Sequence, residues 1–238
     1  MPNQGKLYLI PTPLGDDAVH TLPAYVIQTL HRLDYFIVER AKTARRFIKS
    51  TEPERPINVL TVFELNKYDP ADGIARFLEP AAQGHDIGVL SEAGCPGVAD
   101  PGALVVQEAH RRGIEVVPMV GPSSLLLGLM ASGMNGQSFT FHGYLPHKPN
   151  ELSSKLKQLE LLSQRHQQTQ LFIETPYRNN NLLEMMIKTL SPNTQFAVAV
   201  DISLPTETII SLPIHQWKKQ KLPDFHKRPA IFLLYAGK

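Results

Sequence analysis

Through the first half of the chain, short apolar runs of strand length alternate with stretches of helical period. LYLI at 7–10 precedes a periodic segment at 22–33, YFIV at 35–38 precedes 41–48, INVLTVF at 57–63 precedes 71–82, and DIGVL at 86–90 precedes 103–112. IEVVPM at 114–119 closes the series. Runs that are apolar throughout belong to strands buried on both faces, and strands separated by helices pair in parallel. The pattern predicts a first α/β domain of about five strands over residues 1–118, with Gly113 ending its last helix.

The second half opens on VGPSSLLLGLMASG at 120–133, an apolar helix behind a Gly-Pro-Ser turn and the natural hinge. SFTFHGYL, TQLFIE, FAVAV, ETIISL and AIFLLY then read as strands, with helices over 151–164 and 177–190 and Trp217 in a short segment before the last strand. The expected architecture is therefore α/β, as two small α/β domains over residues 1–118 and 119–238. No internal repeat or low-complexity tract interrupts it.

At 238 residues and 42% hydrophobic, the chain can bury a sizeable core. One cysteine, Cys95, allows no intramolecular disulfide, the first ten residues lack a secretory pattern, and no run approaches the roughly 20 apolar residues of a membrane span. A cytoplasmic protein without a membrane partner is expected. The net charge of +2 argues neither for nor against nucleic acid. Arg40, Lys42, Arg45, Arg46 and Lys49 form a local basic cluster, open to reading as a solvated helix face or as a phosphate contact.

Four segments can carry chemistry. PTPLGDD at 11–17 follows the first strand, where α/β proteins place ligands, yet it lacks the glycine spacing of a dinucleotide fingerprint, and its spacing favours a structural turn whose prolines fix the strand exit. SEAGCPGVADPG at 91–102 holds three glycines and two prolines, which let backbone approach a ligand closely, while Asp100 and Pro101 suit a helix start. Ser123 and Ser124 at a helix start serve either as caps or as ligand contacts. Glu174 in FIETPYR can accept a hydrogen bond from a ligand or pair with Arg178. Nine histidines without H-E-x-x-H or Cys/His spacing argue against a metal, and no G-x-S-x-G elbow marks a hydrolase.

In this order, LYLIPTPLGD, VLSEAGCPGVADPG, VVPMVGPSSLLLGLMASG, FTFHGYLPHK and LFIETPYR resemble the tetrapyrrole methylase superfamily over most of the chain. Within it they are most similar to the 16S ribosomal RNA cytidine 2'-O-methyltransferase branch. The resemblance implies S-adenosylmethionine bound in a cleft between two α/β domains, usually in a homodimer. Carried over by position, Leu14, Ala93, Gly94, Cys95, Val98, Ser123, Ser124, Glu174, Thr175, Pro229 and Ala230 line that site. The acceptor implied is ribosomal RNA.

Departures from that branch fall in the segments expected to meet the acceptor. Where the branch resembles E-D-T-R-H-T-R, this chain reads Glu39-Arg40-Ala41-Lys42-Thr43-Ala44-Arg45, and where it shows Y-H-E-H-N this chain keeps only Glu64 and Asn66. Glu92 and Cys95 replace the usual aspartate and threonine. Removal of a ribose proton calls for a positioned base, so Glu39 or Glu64 is the candidate, with Lys42 and Arg45 on phosphate. Pairing of these carboxylates with the neighbouring cations is the competing reading. A tetrapyrrole, another small molecule, a diphthine-type protein side chain, or cofactor binding without turnover stand as alternatives.

Overall fold

The computed structural model describes residues 4–66, 68–69 and 71–237. The chain divides into two compact units, the first ending at Ser123 and the second beginning at Ser124. The division falls after Ser123 and not after residue 118, because the segment between stays on the first unit. Met119 N–H donates to Leu9 O, and a Cβ on Gly121 would lie 2.2 Å from the Pro11 ring.

The first unit holds β1 (Leu7–Ile10), α1 (Ala24–Arg32), β2 (Tyr35–Val38), α2 (Ala41–Ser50), β3 (Thr61–Glu64), α3 (Ile74–Phe77), α4 (Glu79–Ala82), β4 (Ile87–Leu90), α5 (Gly102–Arg111) and β5 (Val116–Pro118). Its five strands form one fully parallel sheet in the order β3-β2-β4-β1-β5, as the uninterrupted apolar runs require. Alternate strand positions feed two cores. Ile10, Phe36, Val38 and Leu90 pack with Val26 and Leu30 of α1 and Ala44 and Ile48 of α2. Leu7, Ile37, Ile87 and Val89 pack with Ile74, Phe77, Ala81, Val105 and Ala109 of α3 to α5. Each fully buried side chain of this size contributes about 1.5–3 kcal/mol of transfer free energy.

Three local expectations shift for identifiable reasons. Residues 57–59 form a 3-10 turn, with Val59 exposed, and the strand starts only at Thr61. The helix expected over 71–82 starts only at Ile74, behind Gly73 at φ 77, and splits into α3 and α4 where Pro80 brings no N–H to a continuous helix. The first helix begins at Ala24 behind Pro23, while Val19–Thr21 makes its own 3-10 turn.

The second unit holds α6 (Ser124–Ser132), β6 (Phe139–Tyr144), α7 (Pro149–His166), β7 (Thr169–Ile173), α8 (Asn179–Thr189), β8 (Gln195–Val200), β9 (Thr208–Pro213), α9 (Ile214–Trp217) and β10 (Ala230–Tyr235). Its sheet runs β6-β7-β10-β8-β9, parallel only between β6 and β7. Leu152, Leu156 and Leu159 of α7 and Leu182, Leu183 and Met186 of α8 cover Phe172, Phe196 and Phe232 on one face. Trp217 is fully buried beside them and donates its indole N–H to Phe196 O at 3.0 Å. Gly128 lets α6 press on the opposite face, where an added Cβ would lie 2.8 Å from Ile231 Cγ2. Among the described residues no helix is long and apolar enough to cross a membrane.

Candidate functional site

In the first unit Ile10, Leu90 and Val38 are in register, so β1, β4 and β2 end at one level. The chain leaves β1 and β2 through α1 and α2, which share one core, and leaves β4 through α5, which lies in the other. β4 is thus flanked on both sides by strands whose connections depart on the opposite face. A crevice beyond the carboxyl ends of such strands is where open α/β sheets bind ligands.

The loops after β1 and β4 are locked together there. Thr12 N–H donates to Gly94 O at 2.9 Å and Gly94 N–H returns to Thr12 O at 3.0 Å. Ser91 Oγ also donates to Gly94 O, at 2.9 Å. Gly94 holds φ 78, and a Cβ on it would reach Leu14 Cδ2 at 3.4 Å and Pro122 O at 3.5 Å. Cys95 Sγ lies 3.4 Å from Pro122 O, and burial pushes its thiol pKa up. Leu14, Ala93, Gly94, Cys95 and Ser123 therefore come from neighbouring loops of one unit. Val98 projects, exposed, from the outer part of the glycine-rich loop.

The back of that loop is pinned by Asp100, whose Oδ1 accepts Gly97 N–H at 2.7 Å and Gly102 N–H at 2.8 Å. Its Oδ2 is buried with no hydrogen-bond partner, and burial raises the Asp100 pKa against the lowering effect of the two amides.

A cavity of about 430 Å³ opens between the two loops and α2, lined by Leu14, Asp16, Thr43, Arg46, Phe47 and Glu92 among others. Thr43 Oγ1 donates to Glu92 Oε1, and Glu92 N–H donates to Glu39 Oε1 at 3.3 Å. Arg46 is paired with Asp16 at 2.9 Å. Lys42, Arg45 and Lys49 are exposed on the same helix.

The two carboxylates singled out as candidate bases have different surroundings. Glu64 Oε2 accepts Ala41 N–H at 2.7 Å and so caps the first turn of α2, where a negative charge also meets the positive end of the helix dipole. Glu39 is half-buried, and desolvation raises its pKa, with the nearby Asp100 and Glu92 charges acting in the same direction. In the sequence, Glu92 stands out only as a departure from the branch pattern. Its bond to Thr43, which joins positions far apart in the chain, supplies the missing signal.

The raised Glu39 value carries a stability consequence. The folded state binds this proton more tightly than the unfolded chain, so the favourable contribution is present below the unfolded value and is lost as pH rises through the folded one. Glu39→Gln keeps an oxygen for Glu92 N–H while removing the partly desolvated charge. Its melting temperature at pH 7 is expected to exceed that of the wild type, with the gap closing as pH falls through the carboxylate range. Thermal unfolding across pH 4–8 checks this, and a gap that grows on acidification contradicts it.

In the second unit Ile173 and Ile231 are paired, which sets Glu174 and Thr175 beyond the end of β7 beside Pro229 and Ala230 at the start of β10. Glu174 is buried and bound to Arg178, with Nη2 to Oε1 at 2.7 Å, and also accepts Thr175 N–H at 2.6 Å. Pro229 O accepts Asp201 N–H at 3.0 Å.

The loops following β1 and β4 carry Asp16, Asp17, Glu92 and Asp100 and no lysine or arginine. Such a set suits a cationic ligand and disfavours a phosphate. The glycine backbone at 94 leaves room that a side chain would fill, so a sulfonium nucleoside such as S-adenosylmethionine fits the residues present.

Residues 6–217 match the family of Tetrapyrrole (Corrin/Porphyrin) Methylases. The chain is 33% identical over 208 residues to the Bacillus subtilis (strain 168) protein named ribosomal RNA small subunit methyltransferase I, covering 87% of this chain and 67% of that one. It is 27% identical over 235 residues to the protein of the same name from Vibrio cholerae serotype O1, covering 97% and 77% respectively. Among solved structures, the methyltransferase CobJ aligns over 97% of this chain and 94% of its own with TM-score 0.63 and 20% identity. The uroporphyrin-III-C-methyltransferase of Thermus thermophilus aligns over 98% and 92% with TM-score 0.55 and 17% identity. These two share the fold. The extent of the family match decides the assignment: the chain belongs to the tetrapyrrole (corrin/porphyrin) methylases.

Proposed function

We propose that the protein transfers a methyl group from S-adenosylmethionine to a ribose 2'-hydroxyl of ribosomal RNA. The observation that carries this reading is a crevice lined by Gly15, Glu92 and the Asp16–Arg46 pair and placed against the basic face of α2 within one unit. The crevice suits a cationic donor, and the helix face suits the phosphates of an RNA acceptor. The names of the relatives supply the ribosomal RNA class.

When bound, S-adenosylmethionine supplies an electrophilic methyl group on a positively charged sulfur. Leu14, Ala93, Gly94, Cys95, Val98, Ser123, Ser124, Glu174, Thr175, Pro229 and Ala230 are the residues proposed to hold it. Their part is alignment and exclusion of water, since an in-line displacement needs no metal. Lys42 and Arg45 hold phosphate. The proton of the acceptor hydroxyl goes to a carboxylate of the Glu39–Glu92 pair, with Glu92 facing the cavity and Glu39 fixing its backbone. Glu64, occupied in capping α2, supports the position of Lys42 and Thr43. The reading extends to a cytoplasmic homodimer, the assembly that the family resemblance implies.

Calorimetric titration with S-adenosylmethionine and its demethylated product tests the donor site. One molecule bound per chain is expected. No heat at millimolar ligand, in the presence and absence of RNA, would overturn the proposal.

A further inference from the structure

The turn after β7 presents an exposed aromatic ring for which the proposed transfer has no use. Tyr177 sits in the middle of the 3-10 turn Pro176–Arg178 and is 68% exposed. Lys227, in the loop before β10, adopts φ 62, a conformation uncommon for a residue with a side chain. Its backbone N–H donates to Pro176 O at 2.9 Å, tying that loop to the turn. The tie sets Lys227 Nζ 5.9 Å from the Tyr177 ring centroid and the His226 ring 5.8 Å away at 75°.

The other charges nearby are committed. Arg178 bonds Glu174 and Arg228 bonds Asp201, while Asp224 receives Asn180 Nδ2 and His226 N–H. Among the described residues, Lys227 Nζ meets the Tyr177 ring and forms no ion pair. The positive-φ backbone, the loop-to-turn bond and this cation all converge on one exposed π-face beside a positive charge.

We infer that Tyr177, with His226 and Lys227, is a stacking platform for a base of single-stranded RNA, and that Lys227 meets the adjoining phosphate. Aromatic faces take bases of any sequence, and a nearby cation adds the phosphate contact. The platform lies two residues beyond Thr175 and just before Pro229, so it flanks the donor contacts proposed on the second unit. The inference rests on the RNA reading above and specifies where on the second unit the strand is gripped.

The single tryptophan, Trp217, is fully buried, so Tyr177→Trp adds the one exposed indole. Full-length protein is titrated with a fluorescein-labelled single-stranded oligoribonucleotide of mixed sequence and, separately, with the same backbone lacking bases. Tyr177→Trp is expected to bind the base-bearing strand as the wild type does, with quenched indole emission, and to show no quenching with the base-free strand. Tyr177→Ala is expected to bind RNA roughly 5- to 100-fold more weakly, with donor affinity unchanged by calorimetry. Equal RNA affinity in Tyr177→Ala, an unquenched Tyr177→Trp, or no RNA binding by the wild type overturns the platform. Ribosomal RNA methylation with unchanged KM in Tyr177→Ala removes the platform and leaves the acceptor proposal standing. RNA held through Tyr177 without methyl transfer does the reverse.

Discussion

Glu92→Gln lowers turnover on the RNA acceptor by about 10²- to 10⁴-fold, the range over which a positioned base acts, while donor affinity stays within a factor of about two. Gln preserves size and keeps an oxygen for the Thr43 hydroxyl, so the loop geometry survives and proton-accepting capacity alone is removed. Steady-state kinetics together with donor titration separate these effects. Glu39→Gln, which still fixes the Glu92 amide, costs less. Equal losses in both variants point to a shared proton, and full activity in Glu92→Gln removes the carboxylate from the reaction.

Gly94→Val is expected to weaken S-adenosylmethionine binding by more than about tenfold, because a β-branched residue at positive φ carries about 1–3 kcal/mol of strain. Gly94 holds φ 78 and shares a two-way bond with Thr12, and its new side chain would grow toward Leu14 and Pro122 O. Relief of that strain requires moving the two loops proposed to hold the donor. Calorimetry on the variant, with circular dichroism to establish folding, checks the outcome. A folded variant with native affinity places the donor elsewhere.

Much of the fold is legible because burial on both faces leaves its mark residue by residue. YFIV and IGVL sit at the centre of the parallel sheet where their uninterrupted apolar character puts them. Local breaks are less legible. Pro80 divides a helix whose apolar period continues across it, and the exposed Ile57–Val59 turn looks like the start of a strand. Strand direction in the second sheet escapes composition as well, since apolar β8, β9 and β10 pair antiparallel while β6 and β7 run parallel.

The site divides the same way. Gly94 and the loop around it are conspicuous in sequence, because glycine-rich turns after apolar strands have few other uses. The roles of the carboxylates are not. Glu64 caps a helix that begins 23 positions earlier, and Glu92 meets Thr43 across 49 positions, so each partner becomes known only when β2, β3 and β4 are laid side by side. Glu174 reads in sequence as open to a ligand or to Arg178, and the structure shows its ion pair with Arg178.

The central claim is transfer of a methyl group to a ribose hydroxyl of ribosomal RNA. Its most direct test is incubation of the purified protein with methyl-labelled S-adenosylmethionine and unmethylated small ribosomal subunits, followed by digestion of the RNA to nucleosides. Label recovered in a single 2'-O-methylated nucleoside is the predicted result. Label on a base, on a ribosomal protein, or only on an added tetrapyrrole would contradict it.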